Sequence, residues 1–354
     1  MPKPHGARAP SRRPTPYADL NAVLAQLVER VRVLLADNLV GLYLQGSFAL
    51  GDFDERSDLD FVVVVHEDIP PEQLPALQAM HDGVHALPSP WARKLEGSYA
   101  PKAILRRLSI TPRDPPGEPR PGDWADPGTS GLAPRVYPFL FLGNGERILV
   151  RSEHDNTEVV RWILREKGVV LSGPSPRGLI DPVTPEALRE DARELLGKLE
   201  PMAADGTMVE PRWVQCFMAL VFARMIYAVT TGRVASKKAA VAFARGTLEP
   251  RFAELVERAF TEREGRPADE AELAAYFAQG SDPAEAATTL DLFRHTLAAV
   301  QATPARSVIE QKLARKRQAP PNRGDWRGSL NSRGPSGRGW TPPPTRPGGR
   351  GRRG

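Results

Sequence analysis

Asp58 and Asp60 stand one residue apart at the head of an apolar run, Phe61 to Val65. The run is short and rich in valine and reads as a buried strand, along which side chains alternate between faces, so both carboxylates project to the same side. Two carboxylates that close repel each other, and a bound divalent cation is the usual resolution. Ten residues separate Asp58 from Gly46-Ser47, a turn that ends an earlier apolar run, Leu39 to Leu44. Gly46 lets the backbone pass close to a ligand, and the Ser47 hydroxyl with nearby amides can hold phosphate oxygens. Together the four residues predict metal-assisted chemistry on a phosphate; the competing reading is a β-hairpin with an acidic loop.

Three further residues fit such chemistry. Glu96 lies inside the apolar-flanked segment Leu95 to Tyr99. If that strand runs beside the one carrying the aspartates, Glu96 either completes the metal site or takes a proton from an attacking hydroxyl; otherwise it is a solvated strand glutamate. Arg224 interrupts FMALVFARMIYAV, where a charge must be paired and an anion is a natural partner. Lys237 opens a helix capped by Ser236, a position unfavourable to the macrodipole unless an anion such as phosphate is bound there. The bland alternatives are a protein carboxylate for Arg224 and a surface place for Lys237. His81 and His85 are four apart, but Gly83 intervenes and no third ligand is evident, so they read as surface histidines.

The elements that must hold these residues follow from periodicity. Leu20, Val23, Leu24, Leu27, Val31 and Leu34 recur at three and four, predicting an amphipathic helix from Tyr17 into the first strand. Pro71 to Gly83 reads as a short helix ending at glycine, Trp91 to Leu105 as a third strand that breaks at Pro101, and 111–134 as a proline-rich loop. Val136 to Leu142 is another strand, and Thr157 to Lys167 a helix capped by Asn156 or Thr157. Beyond Gly173-Pro174 the pattern turns helical. Thr184-Pro185 starts a helix, a long apolar one runs from about Arg212 to Thr230, and others cover roughly 249–260, 269–278, 283–301 and 305–317. The predicted organisation is a disordered arm over 1–15, an α/β domain over 16–175, an all-α domain over 176–317 and a disordered Arg/Gly/Pro-rich tail over 318–354.

The formal charge of +5 belongs to the tails. Residues 318–354 carry eight arginines against one acid (+7), and residues 1–14 carry +4, which leaves +5 − 7 − 4 = −6 for the body between. A mildly acidic body argues against nucleic acid in a cleft and suits a cationic small substrate; RNA contact is left to the C-terminal tail. Cys216 is the only cysteine, which excludes an intrachain disulfide and a cysteine-based zinc site. No segment reads as a membrane span or a secretory signal, so a cytoplasmic protein without membrane partners is expected.

The spacing Gly46-Ser47, ten residues, Asp58-x-Asp60 between two hydrophobic strands resembles the signature of the DNA polymerase β-like nucleotidyltransferase superfamily. The segments GVVLSGPSPRGLIDPV (Gly168 to Val183) and ARMIYAVTTGRVASKKAA (Ala223 to Ala240) narrow the likeness, over roughly residues 20 to 262, to the streptomycin/spectinomycin-type aminoglycoside adenylyltransferases. The resemblance implies an α/β nucleotidyltransferase domain with a mixed sheet followed by a helical bundle. It implies transfer of AMP from ATP to a hydroxyl of an aminoglycoside-like acceptor, with Mg²⁺ on Asp58 and Asp60, Glu96 as catalytic base and Arg224 and Lys237 on the triphosphate. A monomer and a role in antibiotic resistance are expected with it. Alternatives are a nucleotide-binding module without turnover, or transfer to RNA or protein. One departure bears on the acceptor: before the arginine helix the chain reads Met202-Ala-Ala-Asp205-Gly-Thr-Met-Val-Glu210, with an acid but no tryptophan. The nearest, Trp213, is expected to pack on the helix it begins.

Overall fold

The computed structural model describes residues 13–107, 138–267 and 270–302. The proline-rich segment 111–134, the helix anticipated over 305–317 and the basic tail lie outside them.

Six strands form one mixed sheet in the order β5-β4-β3-β2-β1-β6: β1 (Leu39–Leu44), β2 (Leu59–Val65), β3 (Leu95–Pro101), β4 (Phe139–Leu142), β5 (Leu149–Ser152) and β6 (Val169–Ser172). β2 and β3 are parallel and every other pair is antiparallel. A parallel pair needs a crossover, here through α3 (Leu74–His85), which packs with α1 (Ala18–Leu35) on one face of the sheet. Leu20, Leu24, Leu27 and Val31 of α1 meet Leu42, Leu44, Phe61, Val63 and Val65 in that core. Each such side chain contributes about 1.5–3 kcal/mol on burial. The other face takes Tyr43, Val62, Val64 and Ala100 against Leu164 of α5 (Glu158–Lys167). With both faces covered, β2 is apolar from Phe61 onward, and Asp60 is the exception on the α5 side.

Two short helices follow strands within this half: α2 (Gly46–Leu50) after β1 and α4 (Lys102–Leu105) after β3. The chain then runs through α6 (Pro185–Asp205), α7 (Arg212–Thr231), α8 (Lys237–Thr247), α9 (Pro250–Gly265), α10 (Glu270–Phe277) and α11 (Pro283–Ala302). Thr184 caps α6 and Ser236 caps α8, each hydroxyl accepting a backbone N–H within the first turn, as their sequence positions predict. α7 is the core helix of this half: Ala219, Phe222, Ala223 and Ile226 are buried among Leu196, Val256 and Phe293. By length and composition α7 suffices to cross a membrane, which corrects the expectation above; most of its residues are buried in the core. A smaller cluster, Ile163, Leu188 and Val234 with Ala49 and Leu50, joins α2 and α5 to the helical half.

Several local expectations are corrected. Gly46-Ser47 does not make a simple turn but starts α2. α3 runs two residues past Gly83, so the glycine is not a stop; a Cβ there would meet only the movable end of Arg30, its guanidinium at 2.6 Å. The third strand begins only at Leu95, after a helical turn over Pro90–Arg93. β5 and β6 were not anticipated at all. The N-terminal arm ends before Thr15, which is buried and exchanges hydrogen bonds with Asn21 (2.9 Å between Thr15 Oγ1 and Asn21 Oδ1, 2.8 Å from Asn21 Nδ2 to the Thr15 carbonyl). His81 is not a surface residue: it is 3% exposed, with Nε2 2.7 Å from the Tyr99 hydroxyl, and burial holds its pKa down at about 4. Trp213 is 38% exposed and meets Phe277 of α10 edge to face at 5.6 Å.

Candidate active site

The register of the parallel pair assembles the acids. Asp60 of β2 is directly opposite Glu96 of β3, so the two carboxylates stand on neighbouring strands and the same face, with Asp58 just before the strand. The face that carries Val62, Val64 and Ala100 under α5 is thus acidic at its N-terminal end. Gly46 abuts it: its φ is +57°, and a Cβ there would lie 1.8 Å from Asp60 Oδ2. The Gln45 N–H donates to the Asp60 carbonyl at 2.9 Å, which holds the start of α2 against β2. Among the described residues the Ser47 hydroxyl has no hydrogen-bond partner. Gly46→Ala is therefore expected to displace the Asp60 carboxylate and strain the backbone, by on the order of 1–3 kcal/mol. A melting curve with a calorimetric Mg·ATP titration checks this; unchanged ATP affinity in a folded variant contradicts it.

A buried acid that the sequence did not single out braces the site. Asp155, 5% exposed, accepts from Gln45 Nε2 at 3.0 Å and from Ser98 Oγ at 2.6 Å, tying the residue before Gly46 to the strand that carries Glu96. Its loop is fixed in turn by buried Arg161 of α5, whose guanidinium donates to the carbonyls of Ile104, Leu105 and Thr157 and to Asn156 Oδ1. His154 lies 3.4 Å from Glu96 Oε1 through Nε2 and stacks on Phe141 at 4.6 Å between centroids. The hydrogen bond to Glu96 raises the His154 pKa. Asn144 Nδ2 donates to Asp58 Oδ1 at 2.7 Å.

Burial, then the negative charges of Glu96, Asp58 and Asp155, push the Asp60 carboxyl up to about 7. Burial also raises Asp58, with Glu96 adding to it against Arg266, Lys237 and Arg263. Oxygen donors that resist ionising together fit a hard divalent cation, which removes the repulsion. The three acids do not form a ready-made cage: among the described residues no three His, Cys, Asp or Glu side chains are grouped as a metal ion needs. Asp60 lies against Gly46, and Glu96 is drawn toward His154.

The cations face these acids from the helical half. Arg224 is half-buried on α7 and donates Nε to the Ala235 carbonyl at 3.2 Å; burial lowers its pKa, and Asp60 opposes the shift. Lys237, half-buried at the start of α8, makes no ion pair among the described residues. Burial, then Arg263 and Arg224, lower its pKa to about 8, while Asp58 and Asp60 pull the other way. Of the residues singled out in the sequence, Asp58, Asp60, Glu96, Gly46, Arg224 and Lys237 come together electrostatically or by contact, and Ser47 adjoins Gly46.

Residues 24–83 match the family model described as a nucleotidyltransferase domain, and residues 179–279 the model of the aminoglycoside adenylyltransferase C-terminal domain. The chain thus carries a nucleotidyltransferase-domain match followed by a match to the aminoglycoside adenylyltransferase C-terminal domain. The two matches meet at the site: the first spans Gly46, Ser47, Asp58 and Asp60, the second Arg224, Lys237 and Arg263. A solved structure, the spectinomycin adenyltransferase of Enterococcus faecialis with ATP and spectinomycin, covers 79% of this nucleotidyltransferase and 98% of its own chain at 15% identity, with a TM-score of 0.48. No curated protein matches.

Proposed function

We propose that this enzyme transfers AMP from ATP to a hydroxyl of a small cationic acceptor of the aminoglycoside type, releasing pyrophosphate. The observation that carries the reading is the adjacency of Asp60 and Glu96 across the parallel pair, with Asp58 beside them and Arg224 and Lys237 opposite. Asp58 and Asp60 would hold Mg²⁺, whose chemistry is to neutralise charge on the triphosphate and order it. Glu96 stands outside that pair, held by His154, and serves as the base. It takes the proton of the acceptor hydroxyl as the oxygen bonds to the α-phosphorus and the bond from that phosphorus to the bridging oxygen breaks, the electron pair leaving with pyrophosphate. Arg224 and Lys237 bind the phosphates, and the close backbone at Gly46-Ser47 receives their oxygens. The acidic body favours a cationic acceptor over RNA, and Glu96 favours an enzyme over a binding module, since a module has no need of a base. ATP as substrate with Mg²⁺ as cofactor suits the cytoplasm.

The test is pyrophosphate release from ATP over a panel of aminoglycosides and aminocyclitols. Release that requires Mg²⁺ and rises with at least one acceptor is expected. Tight ATP binding with no acceptor-stimulated release overturns transfer in favour of a non-catalytic module.

A further inference from the structure

The end of α9 carries two arginines, Arg263 in the last turn and Arg266 at the C-cap, that no role yet absorbs. Its place is fixed from both sides. In the helical half, Arg212 at the start of α7 pairs with Glu262 and with Glu285 of α11, each at 2.7 Å. Toward the sheet, Arg56 donates to the Glu264 carbonyl, and Arg266 Nη2 donates to the Arg56 carbonyl at 2.9 Å. Arg56 is two residues from Asp58, so the end of α9 is strapped to the loop that delivers the metal-binding aspartates. Asp52 in the same loop accepts the Lys238 N–H at 3.1 Å, which brings the start of α8 to the same edge.

Arg263 is 23% exposed, and its one described ion pair is with its own neighbour, Glu264, at 3.1 Å. Its charge is felt at Asp54 and Asp58 on the loop and at Arg224 and Lys237 on the helices. Three cations from three helices therefore converge. Among the described residues Arg224 donates only to a carbonyl and Lys237 has no ion pair. Arg263 disfavours the charge of Arg224 and of Lys237, and Arg224 that of Lys237, a repulsion that a fold sustains where a polyanion arrives to relieve it. Glu96 stands beside His154 and near Asp155. In-line displacement at phosphorus needs attacking and leaving oxygens on opposite sides, so cations that receive the leaving oxygens must stand away from the base.

We propose that Arg263 is a third phosphate-binding cation, placed by the strapped end of α9 on the leaving-group side of the site, where it binds the departing pyrophosphate. Arg266 is a positioning residue that acts through the Arg56 carbonyl. The inference rests on the nucleotidyltransfer reading of the same site and adds to it which residues receive the leaving group.

The test is calorimetric titration of the full chain with Mg·ATP, Mg·pyrophosphate and AMP. A charge-assisted contact to phosphate is worth about 1.5–3 kcal/mol, or roughly ten- to a hundredfold in affinity. Arg263→Ala is expected to bind pyrophosphate and ATP at least tenfold more weakly and AMP as the wild type does, with an unchanged or higher melting temperature without ligand because its charge no longer disfavours those of Arg224 and Lys237. Arg263→Lys restores part of the affinity, as a point charge without the guanidinium fork. Wild-type pyrophosphate affinity in Arg263→Ala overturns the subsite alone, and equal losses of AMP and pyrophosphate make the role structural and overturn it as well. A wild type that binds neither Mg·ATP nor Mg·pyrophosphate overturns the nucleotidyltransfer reading, and the subsite with it.

Discussion

Glu96→Gln is expected to lower the rate of acceptor modification by two or more orders of magnitude and to leave Mg·ATP binding close to wild type. The substitution keeps the size of the side chain and an oxygen facing His154, 3.4 Å from the present carboxylate, while removing the group that accepts a proton. General-base catalysis contributes about 10²–10⁴-fold and acts only as the hydroxyl loses its proton, so nucleotide affinity should depend on it weakly. Single-turnover kinetics and ATP titration separate the two quantities. A variant that loses ATP binding makes Glu96 a metal ligand, in line with the ligand set anticipated from sequence. A variant that keeps both binding and turnover removes Glu96 from the chemistry.

What was legible in the sequence was what is local. Gly46-Ser47, Asp58 and Asp60 belong to one strand-loop-strand passage, and alternation along β2 fixes the side on which the acids emerge. Glu96 was legible because an acid inside an apolar segment is conspicuous, and its placement opposite Asp60 then needed only a parallel neighbour. Arg224 and Lys237 stood out for the same reason, as charges where helix burial or the helix dipole disfavours them. Asp155 gives no such signal: it sits in a polar loop, and its partners Gln45 and Ser98 are 110 and 57 residues away. Arg263 and Arg266 were hidden by their surroundings, since α9 is rich in charge along its exposed side and nothing in the local pattern separates two arginines from the rest. The misreading of His81 has the same origin. Its Tyr99 partner lies across the α3–β3 packing, and α3 continues past Gly83 to His85. β5 and β6 were missed because each has only four residues and mixed exposure.

Asp60→Asn is expected to abolish turnover while stabilising the ligand-free protein at neutral and alkaline pH. Loss of a metal-binding carboxylate removes charge stabilisation worth several kcal/mol, so pyrophosphate release should fall by roughly a thousandfold or more. The effect on stability has the opposite sign. Burial and the neighbouring acids raise the Asp60 pKa to about 7 from an ordinary value near 4, so the folded state disfavours its ionised form. For a carboxyl whose pKa is higher in the folded state, the contribution to stability is fully present below the unfolded value and is lost as pH rises through the folded one. Wild-type stability should therefore decline between about pH 4 and pH 7 through this group. Asparagine carries no charge at any pH, and the variant escapes that decline. Without Mg²⁺, its melting temperature should exceed the wild type's by a few degrees at pH 8, and the gap should narrow toward pH 5. Added Mg²⁺ should raise the wild-type melting temperature at pH 8 and leave the variant nearly unmoved, since the ligand that couples metal to folding is gone. A variant that melts below the wild type at pH 8, or that still releases pyrophosphate at near the wild-type rate, would show that Asp60 is neither the strained acid nor the proposed metal ligand.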